Sequence, residues 1–282
     1  MPSILPTKHF AAKMEENIKR LEIRDSDYIK DSNETNIHDV RTAVRRLDAT
    51  YKSLPKKLRR KNQITKYMAT SKRLFKLNSK IRDYDIIGDK LQKYPSDQSY
   101  KKISDLLKKR REIKLASSRK VALSLRDSKQ PHIEENDILS NKLDARFNKV
   151  VARMVESIEL NLPIVLTNPD KNKELHELRK YCKQLRYLLE LIPHGNDKEV
   201  NSKEIARMVA ELEDIQDILG SIHDSDIIIA YLKKVRHKNG VSHILENEIV
   251  ERNKKYDDFV QSCKRNLSDR RDNFLKLIAV MG

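Results

Sequence analysis

"NIHDVRTAVRRLDATYKSLP", residues 36–55, and "ELHELRKYCKQLRYLLELIP", residues 174–193, are two copies of one pattern. They align without a gap. Ile37 meets Leu175, His38 meets His176, Val40 meets Leu178 and Arg41 meets Arg179. Arg45 then meets Lys183, Leu47 meets Leu185 and Pro55 meets Pro193. Further on, "IRDYDII" (81–87) matches "IHDSDII" (222–228), identical at five of seven positions. Two matches in the same order and at similar spacing establish an internal duplication.

Working outward from these copies, helical periodicity is nearly continuous. The spacing predicts helices over about 7–30, 36–54, 60–93 and 97–129, and then over about 134–160, 172–192, 198–237 and 241–280. Breaks fall at Pro55, Pro95, Pro131, Pro163, Pro169 and Pro193, since proline disfavours helix in the residue before it. No segment alternates with a period of two, and no glycine-rich phosphate loop is present. Apolar residues at 38%, charged residues at 36%, five glycines and no tryptophan suit long amphipathic helices around a real core. The expected fold is all-α: four helices followed by four helices, residues 1–131 and 132–282.

The net charge of +17 is unevenly spread. Residues 1–130 carry 34 Lys/Arg against 16 Asp/Glu, a net of +18, whereas 131–282 carry 25 against 26, a net of −1. Between Asp48 and Asp83 there are 12 basic residues and no acidic one. A Lys-rich solvated surface is the plain reading of such an excess, but a single-sign run this long points to a polyanionic partner, gained through counterion release. No apolar run reaches the roughly 18–20 residues of a membrane span. "MPSILPTKHF" is too short in its apolar part for a secretory signal. Cys182 and Cys263 have no metal-ligand or disulfide spacing. A cytoplasmic protein without a membrane or cofactor partner is expected.

At about 100° per residue, Val40, Val44, Leu47, Tyr51 and Leu54 cluster within about 80° of arc, and Leu178, Cys182, Leu185, Leu189 and Ile192 repeat that stripe. His38, Arg41, Arg45 and Lys52, and then His176, Arg179, Lys183 and Arg186, lie on its shoulder, not on the opposite face. Shoulder positions line seams between helices. Residues 38–52 span about 21 Å, a row of donors suited to an extended phosphorylated ligand. Arginine offers a planar fork, lysine a mobile point charge, and a protonated histidine two donors. In that reading phosphate raises the histidine pKa values and affinity grows as pH falls. The competing reading makes His38 and His176 ordinary helix residues bonded to a carboxylate such as Asp83 or Asp224.

These residues resemble the CHAD family, the conserved-histidine α-helical domain, over nearly the whole chain. The first copy supplies His38, Arg41, Arg45, Arg46, Leu47 and "IRDYDII". The second supplies His176, Arg179, Lys183, Gln184, Leu185 and Arg186, followed by "LEDIQDILGSIHDSDII". The resemblance implies a single domain over 1–282 made of two four-helix bundles related by a pseudo-twofold axis. It also implies a basic central channel that binds inorganic polyphosphate, with Lys72, Lys76 and Arg82 at the basic places leading into the "IRDYDII" segment. Attachment to polyphosphate granules, or to a polyphosphate-metabolising enzyme, goes with that resemblance. The chain departs from the family pattern at Asp48, where arginine is usual, at Gln184, where a cation is usual, and at His223. It lacks the Glu-x-Glu-x-Lys mark of the triphosphate-processing CYTH domain that many relatives carry.

Three other readings compete. His223–Asp224, with His176 and Asp226, resembles a metal phosphohydrolase site, but the first copy has Arg82 at the equivalent place and arginine is no ligand. Non-specific RNA or DNA binding would use the same cations, yet Tyr51, Tyr67 and Phe75 sit at core spacing, not as stacking platforms. A protein-docking scaffold would use "RREIKLASSRK" (110–120), whose Arg111, Lys114 and Arg119 otherwise form a solvated face. No nucleophile–base arrangement is visible, so a binding protein is expected, not an enzyme.

Overall fold

The computed structural model describes the backbone of residues 3–94, 98–193, 199–239 and 241–281. Within these residues there are nine α-helices and no strand. They are α1 (Thr7–Lys30), α2 (Glu34–Ser53), α3 (Lys56–Arg59), α4 (Asn62–Gln92) and α5 (Gln98–Arg126), then α6 (Ser140–Thr167), α7 (Asn172–Leu189), α8 (Glu199–Asn239) and α9 (Ser242–Met281). A single 3-10 turn, Glu135–Asp137, joins the two halves.

Helix contacts in the second half repeat those of the first. α1 packs on α2, α2 on α4 and α4 on α5; α6 packs on α7, α7 on α8 and α8 on α9. The halves meet where α2 lies against α7 and α6, and where α4 lies against α8. The two repeated motif helices therefore face each other across the middle of the molecule. The stripe read from the sequence is the one that is buried: Ile37, Val40, Val44 and Leu47 on α2, and Leu175, Leu178, Cys182, Leu185 and Leu189 on α7. One apolar cluster runs through both halves, from Phe10, Leu21 and Leu74 to Phe147, Leu219 and Phe259. A smaller cluster of Ile87, Leu91, Ile103, Leu107, Ile228, Leu232 and Ile244 closes the far end. Beside it, buried Lys90 on α4 reaches Glu248 at 2.6 Å and Glu251 at 2.7 Å on α9.

α2 starts where the Asn33 side chain accepts a bond from the Asn36 N–H at 2.9 Å, occupying one of the donors a helix start leaves free. That cap and the stop at Pro55 set the ends of α2, and burial of its apolar stripe sets its rotation and hence which residues reach the seam. Three expectations need correction. α6 begins at Ser140 and not near 134, where Glu135–Asp137 form the 3-10 turn instead. α3 is an extra turn, held where Arg59 Nε donates to the Leu54 carbonyl at 2.9 Å. α6 does not stop before Pro163 but runs through it to Thr167. Proline forfeits one helical hydrogen bond. Here the turns beyond it are retained because Val165 is fully buried and its carbonyl accepts the Tyr256 hydroxyl at 2.7 Å.

The second aspartate of each "DxD" segment ties neighbouring helices together. Asp85 accepts from Arg111 at 2.6 Å, and Asp226 from Arg252 at 3.1 Å. Arg111 and Arg252 hold equivalent places in the repeat, so this pair is said twice as well. Arg119 donates to the Ile29 carbonyl. Two of the three cations singled out in 110–120 are thus engaged within the fold and not displayed for a partner.

Candidate functional site

Between α2, α4, α7 and α8 lies a cavity of about 490 Å³. α2 contributes Arg41, Arg45, Asp48 and Lys52, and α4 contributes Phe75, Lys76 and Asp83. From the other half come His176, Arg179, Lys180, Lys183, Gln184 and Tyr187 of α7 and His223 of α8. Positions i and i+4 on α2 and i, i+3 and i+7 on α7 project to one side of their helices, so two short rows of cations oppose each other across the seam.

Phe75 forms one wall. The Arg45 guanidinium lies 5.0 Å from its ring centroid and that of Arg41 5.6 Å away, within reach of the ring's negative face. Opposite, the Arg179 guanidinium rests beside Gly220, where an added Cβ would sit 3.7 Å from Nη2. The buried Nε of Arg41 and of Arg179 has no hydrogen-bond partner. Neither residue, nor Arg45, nor Lys183, forms an ion pair among the described residues. Unpaired buried donors are uncommon, because each forgoes its bond to water.

This crowding moves the titrations. Burial, with Arg45 and Arg179 nearby, lowers Arg41 to about 10, still charged at neutral pH. Arg45 and Arg179 are lowered too, chiefly by burial. Lys183 falls to about 6, through burial and then the charges of Arg45, Arg179, Arg41 and Arg186. His223 falls to about 3, from burial, Arg179 and His176. Its ring lies 4.9 Å from that of His176, tilted by 44°, and His176 is lowered by partial burial and Arg179. Asp224, close to Arg179, is nonetheless raised by burial. In the free protein burial, and then the nearby cations, thus favour the neutral forms of the two histidines and Lys183.

The remaining residues expected from the sequence lie outside the cavity or are engaged. His38 is exposed, with its Nδ1 3.3 Å from the Asp39 carboxylate, whereas Asp83 pairs with Lys80. Arg46 pairs with Glu190 at 3.0 Å and opens into a separate cavity of mixed charge with Glu16. Lys72 pairs with Asp48 at 2.8 Å and covers the Tyr51 ring, and Lys52, though in the cavity wall, pairs with Asp48 at 2.7 Å and donates to Gln184 Oε1 at 3.0 Å. Arg82 pairs with Glu34 at 2.9 Å. Arg186 pairs with Glu213 and stacks on Tyr187. Arg41, Arg45, Lys52, Lys76, His176, Arg179 and Lys183 are brought together.

Sequence reasoning missed Lys180, Phe75 and Tyr187, and weighed His223 only as a metal ligand. Tyr67 is core, as expected, but Tyr51 and Phe75 are only partly buried and carry cations on their faces. The alignment of His223 with Arg82 was the available signal, since it places His223 in a row of cations. Among the described residues no three His, Cys, Asp or Glu side chains converge as a metal site would need. No helix among them is long and apolar enough to cross a membrane.

A family model described as the CHAD domain matches residues 12–233. The crystal structure of the CHAD domain from the plant Ricinus communis is similar to this chain, with a TM-score of 0.61 and 14% sequence identity, covering 96% of this chain and 92% of that one. At that identity the likeness speaks to the fold. No curated protein matches the chain.

Proposed function

Since the chain belongs to the CHAD domain family, we propose that it is a binding module for inorganic polyphosphate, held in the cavity between its halves without being turned over. One observation carries this reading: Arg41 and Arg179, equivalent in the repeat, line the same cavity without an ion pair among the described residues, and the buried Nε of each lacks a hydrogen-bond partner. Phosphate oxygens are the natural acceptors for arginine forks held open in this way.

The aromatic faces favour polyphosphate over nucleic acid. Phe75 carries Arg41 and Arg45, Tyr51 carries Lys72, and Tyr187 carries Arg46 and Arg186. Each ring has its own cation where a base would stack. The ligand proposed is therefore one with charge and no bases. The second "DxD" aspartates are tied to Arg111 and Arg252, which leaves the His223–Asp224 pair without the set of convergent carboxylates a metal hydrolase uses. A cytoplasmic location, docking on polyphosphate granules and partnership with a polyphosphate-metabolising enzyme accompany this proposal.

Titration of labelled long-chain polyphosphate into the wild type and into an Arg41→Gln/Arg179→Gln variant tests it. A loss of about 10-fold or more is expected, with unchanged helical content. Equal affinity in a folded variant would place the binding surface elsewhere.

A further inference from the structure

Lys183 stands apart from the other lysines. It lines the cavity on α7 with Arg41, Arg45 and Arg179, and no carboxylate pairs with it among the described residues. The two cavity carboxylates are occupied: Asp48 by Lys52 and Lys72, and Asp83 by Lys80 at 3.2 Å. Its amine is consequently surrounded by cations that oppose a further positive charge. A neutral amine in a phosphate-binding cavity combines a nucleophile with a device that orients phosphorylated reagents.

We propose that Lys183 is a covalent acylation site for small acyl phosphates, whose phosphate is held by Arg41, Arg45 and Arg179 while the amine attacks the acyl carbon. In this step the nitrogen lone pair forms a C–N bond and the C–O bond between acyl carbon and phosphate breaks. Inorganic phosphate leaves with that electron pair, and the proton lost by nitrogen passes to it or to water. The product is an amide. The cation at 183 is lost and an acyl group occupies part of the cavity, so acylated protein holds polyphosphate more weakly. Phosphorylated metabolites would thereby regulate the polyanion site. The inference rests on the phosphate-binding reading of the cavity.

At neutral pH an ordinary lysine, with a pKa near 10.4, is about 0.1% free base. The amine of Lys183, lowered to about 6 in the free protein, is almost wholly so; a bound phosphate raises it again, so the advantage belongs to acyl phosphate supplied well below saturation. Lower basicity also means lower nucleophilicity, so a net rate advantage of about 10-fold over exposed lysines is expected before any gain from orientation.

The test is to treat the full chain with acetyl phosphate at about pH 7.5 and follow acetylation by peptide mass spectrometry. Lys56 and Lys57, both exposed, serve as internal references. Polyphosphate binding is measured on the same preparation. The expected result is acetylation of Lys183 about 10-fold faster than of Lys56 or Lys57, abolished by saturating polyphosphate. The excess should be several-fold smaller with p-nitrophenyl acetate, which carries no phosphate. Acetylation of Lys183 at the reference rate, in protein that binds polyphosphate, overturns the inference and leaves the binding proposal standing. Equal excess with the phosphate-free ester overturns it too, since orientation by the arginines would then play no part. Selective reaction in protein that fails to bind polyphosphate supports the acylation site and refutes the polyphosphate reading.

Discussion

Lowering the pH from about 8 to 6.5 should tighten polyphosphate binding through one amine, that of Lys183. In the free protein this amine titrates at about 6, because burial and the surrounding arginines disfavour its charge. Phosphates threaded between Arg45, Arg179 and Lys183 reverse the sign of the local field and return the amine toward its ordinary value near 10.4. A group with a higher pKa in the complex than in the free protein takes up a proton on binding. The uptake is about one half at pH 6, close to one between about pH 7 and 9, and falls away outside that range. Affinity therefore rises by up to about 10-fold per pH unit as pH falls toward 6, equivalent to about 1.4 kcal/mol per unit. His223, at about 3 in the free protein, and His176, also lowered, add to the uptake only where the bound ligand raises them into the same range. Calorimetry near pH 7.5 in two buffers of different ionisation enthalpy reads the proton count directly. One proton is expected for the wild type and close to none for Lys183→Met. A flat pH profile with no proton uptake in the wild type would refute the argument that burial and the cavity cations hold Lys183 neutral.

Other consequences concern neighbouring residues. Asp48 neutralises Lys52 and Lys72, so Asp48→Asn should raise polyphosphate affinity about 2- to 5-fold, in keeping with partly exposed pairs worth up to about 1 kcal/mol each; unchanged affinity by titration would mean that these lysines do not reach the ligand. In Arg41→Gln/Arg179→Gln the slope of log K against log salt should fall by about 1.4, for two phosphate contacts on a single-stranded polyanion, and an unchanged slope would remove both from the contact set. Asp25, buried in the first half with both carboxylate oxygens unpartnered, is raised from 3.8 to about 7 by burial. Its charged form is disfavoured in the fold, so stability is lost as pH rises from about 4 to 7 and stays lost above that. Asp25→Asn should restore about 1–4 kcal/mol at pH 8 and little at pH 4, read from the difference between wild-type and variant denaturation curves; equal differences at both pH values would contradict it.

What the sequence disclosed was whatever periodicity carries. The α2 and α7 stripes were legible because a helix that buries one face must repeat apolar residues every three to four positions. The shoulder placement of Arg41, Arg45, Arg179 and Lys183 followed from the same arithmetic. The duplication made the second copy a check on the first. Partner choice was not legible, because it is settled between helices far apart in sequence. Arg46 and Arg45 are adjacent in the chain, yet α2 turns one toward Glu190 and the other toward Phe75. His38 and His176 are equivalent in the repeat, but only His176 meets a second imidazole, because the first half has Arg82 where the second has His223. Pro163 illustrates the opposite failure. A local stop signal was overridden by burial of Val165 and a hydrogen bond from Tyr256, nearly a hundred residues away.

The central claim is that the cavity binds a phosphate polymer and leaves it intact. The measurement that tests it most directly is a competition titration at about 150 mM salt, near the physiological range. Labelled long-chain polyphosphate is displaced by unlabelled polyphosphate or by single-stranded RNA of matched charge, and free phosphate is assayed in the same tube. The account predicts efficient displacement by polyphosphate, far weaker displacement by RNA and no phosphate released. Equal displacement by RNA would contradict it by making the basic seam an unselective polyanion surface, and steady release of phosphate would contradict it by making the His223–Asp224 side of the cavity catalytic.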